Sequence, residues 1–320
     1  MKRTLVTGGT GFVGANLVRR LLADGHEVHC TVQPGHSTWR LESIRADVQL
    51  HEADIADRER LAPVLRRIRP EWIFHLAVYG AYSWQTDLDR MVRTNVLGTL
   101  NLVETCLDLG FTAFVNTGSS SEYGAKDHAP AETEMLEPNS HYAVTKASAT
   151  LFCRHTARSR DVRLPTLRLY SVYGPWEEPG RLVPTLVVRG LAGELPRLAA
   201  PETERDFVYV DDVCDAYLLA AEREDQPGAA IYNVGTAVGT SLRELVEVTR
   251  RLLGIAVQPV RGSMPAREWD TDVWVADNTL IGKALGWRPR HDVEAGVRRT
   301  LDWFRGCPSL VEHYSSASRS

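Results

Sequence analysis

The 320-residue sequence predicts an α/β protein in which a doubly wound parallel sheet carries a smaller C-terminal lobe. Three observations lead there. Short β-branched or apolar runs alternate with helical stretches, the pattern of successive βαβ units. The runs are apolar at neighbouring positions, as strands covered on both faces require. The first run then breaks into "TGGTGFVG", with glycines at three-residue spacing directly before a helix.

In chain order, "RTLVT" (3–7) is the first strand and "FVGANLVRRLLADG" the helix after it. "EVHCTV" (27–32) and "DVQLHEAD" (47–54) are strands, and "RERLAPVLRRIR" (58–69) is a helix. "WIFHLAV" (72–78) is an apolar strand, and "MVRTNVLGTLNLVETCLDLG" (91–110) a long amphipathic helix that ends on Gly110. "FTAFVNTGSSS" (111–121) runs from strand into loop, Ser140 caps the next helix, and "VRLPTLRLY" (162–170) is another strand. Past residue 170 the pattern is less regular, with helices expected near 211–223 and 241–253. Residues 1–170 therefore form the sheet domain, rejoined by parts of 206–236. The lobe takes 171–205 and 237–310, and 311–320 is expected to be a disordered tail.

Hydrophobic residues make up 43% and charged residues 24%, the balance of an ordinary globular chain. The net charge of −4 supplies no basic field for nucleic acid or an anionic membrane. An anionic ligand must be met by a few local arginines and backbone amides. Cys30, Cys106, Cys153, Cys214 and Cys307 are scattered and lack C-x-x-C spacing, so reduced thiols are expected, with no metal site. No apolar run is long enough to span a membrane, and "MKRTLVTGG" enters a strand at once; a cytoplasmic location is expected.

Gly8 permits a tight turn, Gly11 lets backbone approach a pyrophosphate, and Gly14 permits close helix–strand packing. With the helix dipole behind them, they predict a Rossmann-type dinucleotide site. The end of the second strand bears on which nicotinamide binds. NAD sites usually hold the ribose there with an acidic side chain, but here Val32 and Gln33 occupy the place. Gln33, His36, Ser37 and Arg40 are candidates to contact a 2′-phosphate, although Arg40 also reads as a surface residue. NADP(H) is accordingly favoured over NAD(H). Asp54, after the third strand, can reach the adenine amino group or remain a solvated turn residue.

Only four of the 37 basic residues are lysines, and one of them, Lys146, follows Tyr142 by four positions on a predicted helix. A free tyrosine is a poor base near neutrality. A nearby ammonium favours the phenolate, and a compact ammonium can also hydrogen-bond a ribose. The small polar loop "NTGSSSEYG" (116–124) sets hydroxyls at the carboxyl edge of the sheet, where open α/β proteins bind ligands.

Taken together, "TGGTGFVG", Asp54-Ile55, "FHLA" (74–77), "TNVLGT" with Asn95, the serine loop, "YAVTK", "RLYSVYGP" (168–175) and "RDFVYVDD" (205–212) resemble an extended short-chain dehydrogenase/reductase that modifies nucleotide sugars. The match runs in the family's order from residue 4 to about 290. The resemblance implies that Tyr142 is the general acid/base, that Lys146 lowers its pKa and binds ribose, and that Asn95 supports the geometry. Ser119 is the implied hydroxyl partner, with Ser120 as rival. Phe12, Val13, Ile55, Leu76 and Ala77 join the implied cofactor wall. Arg205 and Arg267 match diphosphate-binding arginines, with Arg181 and Arg197 as further candidates and surface ion pairs as the alternative. Tyr79 is the implied sugar contact. The resemblance also implies a nucleoside-diphosphate sugar as substrate, and a homodimer through the helices at 91–110 and 140–158.

Three reactions share this machinery. A 4,6-dehydratase of the family places a carboxylate just after the loop hydroxyl, whereas here Ser120 and Ser121 follow Ser119 and Glu122 comes one place late. A 4-epimerase retains its cofactor, usually NAD, while a 4-keto reductase consumes NADPH. The non-acidic second-strand end ranks an NADPH-dependent 4-keto-6-deoxyhexose reductase first, the epimerase second and the dehydratase third. A non-catalytic NADP sensor is the alternative of a different class, and the presence of both Tyr142 and Lys146 argues against it.

Overall fold

The computed structural model describes residues 1–195, 201–256 and 274–317. The sheet half of the chain comprises β1 (Arg3–Thr7), α1 (Phe12–Ala23), β2 (Glu27–Val32), β3 (Gln49–Glu52), α2 (Arg58–Ile68) and β4 (Trp72–His75). It continues with α3 (Leu88–Val92), a π-helical turn (Arg93–Leu97), α4 (Gly98–Leu109), β5 (Ala113–Ser119), α5 (His141–Arg160) and β6 (Thr166–Leu169). Then follow β7 (Ser171–Tyr173), α6 (Leu182–Leu191), β8 (Glu204–Arg205), β9 (Phe207–Tyr209), α7 (Val210–Glu222), β10 (Ile231–Val234) and β11 (Thr240–Ser241). The chain ends in α8 (Leu242–Leu253), α9 (Thr279–Leu285), α10 (Val293–Arg305) and α11 (Pro308–Ala317).

Among the described residues the main sheet has seven strands in the order β3-β2-β1-β4-β5-β6-β10, all parallel. The order reverses between β1 and β4, so the loops there diverge and leave a crevice at the carboxyl edge. Apolar side chains fill both sides of the sheet. Leu17, Val18, Leu21, Phe74, Val213 and Tyr217 pack α1 and α7 onto one face. Leu61, Leu65, Ile73, Leu102, Phe114 and Cys153 pack α2, α4 and α5 onto the other. This two-sided burial is why the strands read as apolar runs rather than alternating ones.

β10 returns the chain to the sheet after the excursion at 171–205, pairing with β6 in register Asn233↔Arg168. A separate cluster of Tyr173, Leu186, Val187, Phe207, Leu245, Leu301 and Phe304 holds α6, α8 and α10 together as the lobe. Among the described residues no helix is long and apolar enough to cross a membrane.

The tail departs from the expectation of disorder. Pro308–Ala317 form α11, and Tyr314 is fully buried, its hydroxyl donating to the Glu177 carbonyl at 2.6 Å. The ring sits edge-on to Phe304, with centroids 4.9 Å apart, and lies against Trp39. The small polar residues that suggested disorder flank one buried aromatic, and burial of that aromatic orders the helix. Replacing it, as Tyr314→Ala, should lower stability by about 3–5 kcal/mol in urea denaturation, the cost of deleting a buried aromatic.

Candidate active site

The loop after β1 is shaped by the absence of side chains. Gly8 has φ +71°, and a Cβ there would lie 2.6 Å from the Ala77 nitrogen and the Leu76 carbonyl carbon. A Cβ on Gly14 would collide with the Gly8 carbonyl. Helix α1 starts after Gly11 with no side-chain cap and no acidic residue in its first turn, so its leading amides are available to an anion. Beside the loop opens a cavity of about 700 Å³, lined by Gly8, Gly11, Phe12, Val13 and Gly14, by Gln33, Asp54, Ile55, Leu76 and Ala77, and by Ser119 and Tyr142. A backbone cradle that admits no Cβ, free amides and a cavity of this size fit a dinucleotide.

At the β2 end, the Gln33 amide donates to Asp54 Oδ2 at 3.0 Å and its carbonyl accepts from Arg90 at 2.9 Å. His36 and Ser37 line the same end. Arg40 also lines the cavity, yet its guanidinium is buried and engaged. It donates to the Trp176 carbonyl at 2.7 Å and pairs with Glu178 at 2.8 Å. Arg40 is therefore neither a surface residue nor a free phosphate clamp. Arg90 was missed because it stands on a different element, 57 positions along the chain from the glutamine it meets.

The chemistry-bearing residues converge at the ends of β5 and α5. Tyr142 and Lys146 share one face of α5, whose N-cap Ser140 accepts from the Ala143 amide. The Ser119 hydroxyl lies close enough to Tyr142 to favour its phenolate, and shares a hydrogen bond with the Ser121 hydroxyl at 2.7 Å. Ser120 is engaged elsewhere, accepting from Trp274 Nε1 at 2.7 Å. Asn95 lies in the π-helical turn, fully engaged: its amide nitrogen donates to Thr145 and the Tyr79 carbonyl, and its oxygen accepts from the Tyr79 amide. Such turns interrupt helices where a side chain must be re-aimed.

Burial dominates the electrostatics of this pair. It pushes the Tyr142 phenol up to about 12, against a smaller opposing effect of the nearby Ser119 hydroxyl. Lys146 does not offset this, since its buried ammonium donates to the Thr117 carbonyl, and burial lowers its own pKa. The tyrosine is thus a protonated phenol across neutral pH.

The expected substrate residues separate. Arg181 lines the cavity at the N-terminus of α6, 3.7 Å from Glu177. The Arg205 guanidinium lies over Trp274, 6.0 Å from the ring centroid, and Trp274 lines the cavity. Tyr79 is not among the lining residues; its ring lies under Arg90, 4.7 Å from the guanidinium carbon. Its neighbours Tyr82 and Trp84 line the cavity instead, stacked with centroids 4.7 Å apart. Arg197 and Arg267 lie outside the described residues.

Two buried carboxylates flank the site. Glu122 accepts from the Ser119 amide at 2.8 Å, from Thr150 at 2.9 Å and from Arg168 Nε at 2.8 Å. It is fully enclosed and does not reach the cavity. Glu177 lines the cavity and is also buried, but its Oε2 lacks a hydrogen-bond partner. Burial pushes it up to about 8.

The profile of the NAD dependent epimerase/dehydratase family matches residues 4–235, most of the chain. The chain belongs to that family. Across 95% of its length it is 33% identical to the UDP-glucose 4-epimerase of Mycolicibacterium smegmatis, covering 98% of that relative. The crystal structure of the Thermotoga maritima UDP-glucose 4-epimerase with UDP-glucose superposes with a TM-score of 0.86 at 31% identity, over 95% of this chain and 98% of that one. That of the Thermus thermophilus UDP-glucose 4-epimerase with NAD gives 0.84 at 31%, over 95% and 99%. The family is one of extended short-chain dehydrogenase/reductase enzymes, as the motifs implied.

Two outcomes test this geometry. Arg168→Met leaves Glu122 charged and unpaired in the core, and should cost about 3–5 kcal/mol, part of which Glu122→Gln in the same chain restores. For Glu177 the ordinary pKa of 4.5 rises to about 8, so between those values the folded chain keeps a proton that the unfolded chain has lost. Stability therefore falls as pH rises through that window. Glu177→Gln removes the dependence, and its Tm should exceed that of the parent at pH 8 by clearly more than at pH 5.

Proposed function

We propose that the enzyme reduces the 4-keto group of a nucleoside-diphosphate 4-keto-6-deoxyhexose, with NADPH as reductant. The observation that carries this reading is the end of β2. The strand-end position itself carries a neutral amide, flanked by His36, Ser37 and a guanidinium, and the nearby Asp54 carboxylate, which follows β3, accepts from that amide. When bound, the reduced dinucleotide supplies the hydride. Tyr142, protonated across neutral pH, is the proton donor to the oxygen at C4 as its charge develops, and Ser119 steadies that oxygen from beside it. Lys146 and Asn95 position α5 and the loop after β4. Arg181 and Arg205, with Arg197 and Arg267, are the arginines assigned to the diphosphate.

Glu122 argues against 4,6-dehydration, because a carboxylate locked onto Arg168 and the Ser119 amide has no access to the sugar. A second reading, 4-epimerisation with a retained cofactor, is favoured by the names of the relatives. We further propose a homodimer through α3–α4 and α5, where Val92, Leu97, Val144 and Leu151 are all at least 40% exposed.

The test is to denature the purified protein, identify any released dinucleotide, and follow NADPH absorbance on adding nucleotide 4-keto-6-deoxyhexoses. Stoichiometric NADPH oxidation supports the reductase; tightly held dinucleotide with no net oxidation overturns it in favour of the epimerase. Tyr142→Phe should lower kcat about 10²–10⁴-fold while dinucleotide binding persists, whereas a sensor would keep its function.

A further inference from the structure

The cofactor half of the proposed function turns on what recognises the adenosine ribose, and the residues named from sequence do not provide a free positive charge there. Arg40 is buried and held by Glu178 and the Trp176 carbonyl. Gln33 is neutral and bonded on both sides. Its amide orientation follows from its partners: Asp54, an acceptor, takes the Nε2 hydrogen, and Arg90, a donor only, takes the oxygen.

Arg90 differs from Arg40 in every respect that matters for binding an anion. It is exposed, and among the described residues it has no ion-pair partner within salt-bridge distance. Its reach is nonetheless defined. Asp87 caps its backbone amide at 3.0 Å, the Tyr79 ring supports the guanidinium from below, and one nitrogen is anchored on Gln33. Stacking on an aromatic face leaves the edge donors of a guanidinium free for a planar or tetrahedral anion. Arg90 also lies close enough to the cavity to act on a residue that lines it: the pKa of His36 is lowered by burial and then by Arg40 and Arg90, against an opposing effect of Glu178.

We propose that Arg90, reaching from α3 across Gln33, is the residue that selects a 2′-phosphorylated dinucleotide. It supplies from a neighbouring element the cation that the end of β2 lacks, and Gln33 serves as the bracket that holds it there. The proposal rests on the NADP(H) reading above, and binding measurements separate the two.

Dissociation constants for NADPH, NADH, 2′,5′-ADP and 5′-AMP would be measured by calorimetry on the dinucleotide-free full chain, without sugar substrate, for the parent, Arg90→Ala and Arg90→Lys. The parent should prefer NADPH and 2′,5′-ADP. Arg90→Ala should weaken both by about 10–100-fold, the range of a charged hydrogen bond, and leave NADH and 5′-AMP within about twofold. Arg90→Lys should recover part of the loss. A parent that prefers NADPH together with an alanine variant that keeps the preference overturns the role of Arg90 and leaves the cofactor reading standing. A parent that prefers NADH overturns both. Equal weakening of all four ligands would make Arg90 a structural support of the β2 end and overturn its selective role.

Discussion

The buried ion pair between Glu122 and Arg168 governs the geometry of the site. Neither side chain meets solvent, and Glu122 alone joins three elements: the Ser119 amide at the end of β5, Thr150 on α5, and Arg168 on β6. Arg168 extends the connection to the Tyr123 hydroxyl and the Glu132 carbonyl, and Tyr123 donates on to Asn233 of β10. A charge removed from water in this way is tolerated only when its lone pairs are satisfied, and here they are. The consequence is positional. The serine loop and the helix that carries Tyr142 are tied to one carboxylate, so Ser119 and Tyr142 meet without depending on a ligand to bring them together.

Charge is allocated unevenly along the cavity. At the chemistry end, burial dominates: it holds Tyr142 in the phenol form, disfavours the ammonium of Lys146 and raises Glu177. At the adenosine end, His36 and Arg90 face more open surroundings, and the one buried cation, Arg40, is already neutralised by Glu178. Low dielectric strengthens each polar contact at the first end, whereas hydration and salt weaken those at the second. The two ends of the crevice thus respond differently to burial and to salt.

Several features of the fold follow from this crevice rather than from the lobe. The reversal of strand order between β1 and β4 opens it, the glycine loop narrows it to backbone, and the π-helical turn aims Asn95 at Thr145 and Tyr79. The lobe contributes mainly through Arg181 and Trp274, and through the segment 174–178, which is clamped to α1 by Asn16 and to α11 by Tyr314.

The sequence by itself determined the α/β class and the glycine cradle and set Tyr142 and Lys146 on one helix face, because periodicity, turn glycines and an i,i+4 pair are local properties; Ser119 and Asn95 were named only by the family resemblance. It also anticipated most strand and helix positions to within a few residues. It misjudged residues 311–317, since one buried aromatic followed by serines leaves no periodic signal. Tertiary structure alone engages Ser120, through a tryptophan 154 positions away. It alone turned Lys146 toward a carbonyl, locked Glu122 onto Arg168, engaged Arg40 and brought Arg90 to Gln33. Each of these depends on which distant group satisfies a hydrogen bond, and that choice is made only when the chain packs.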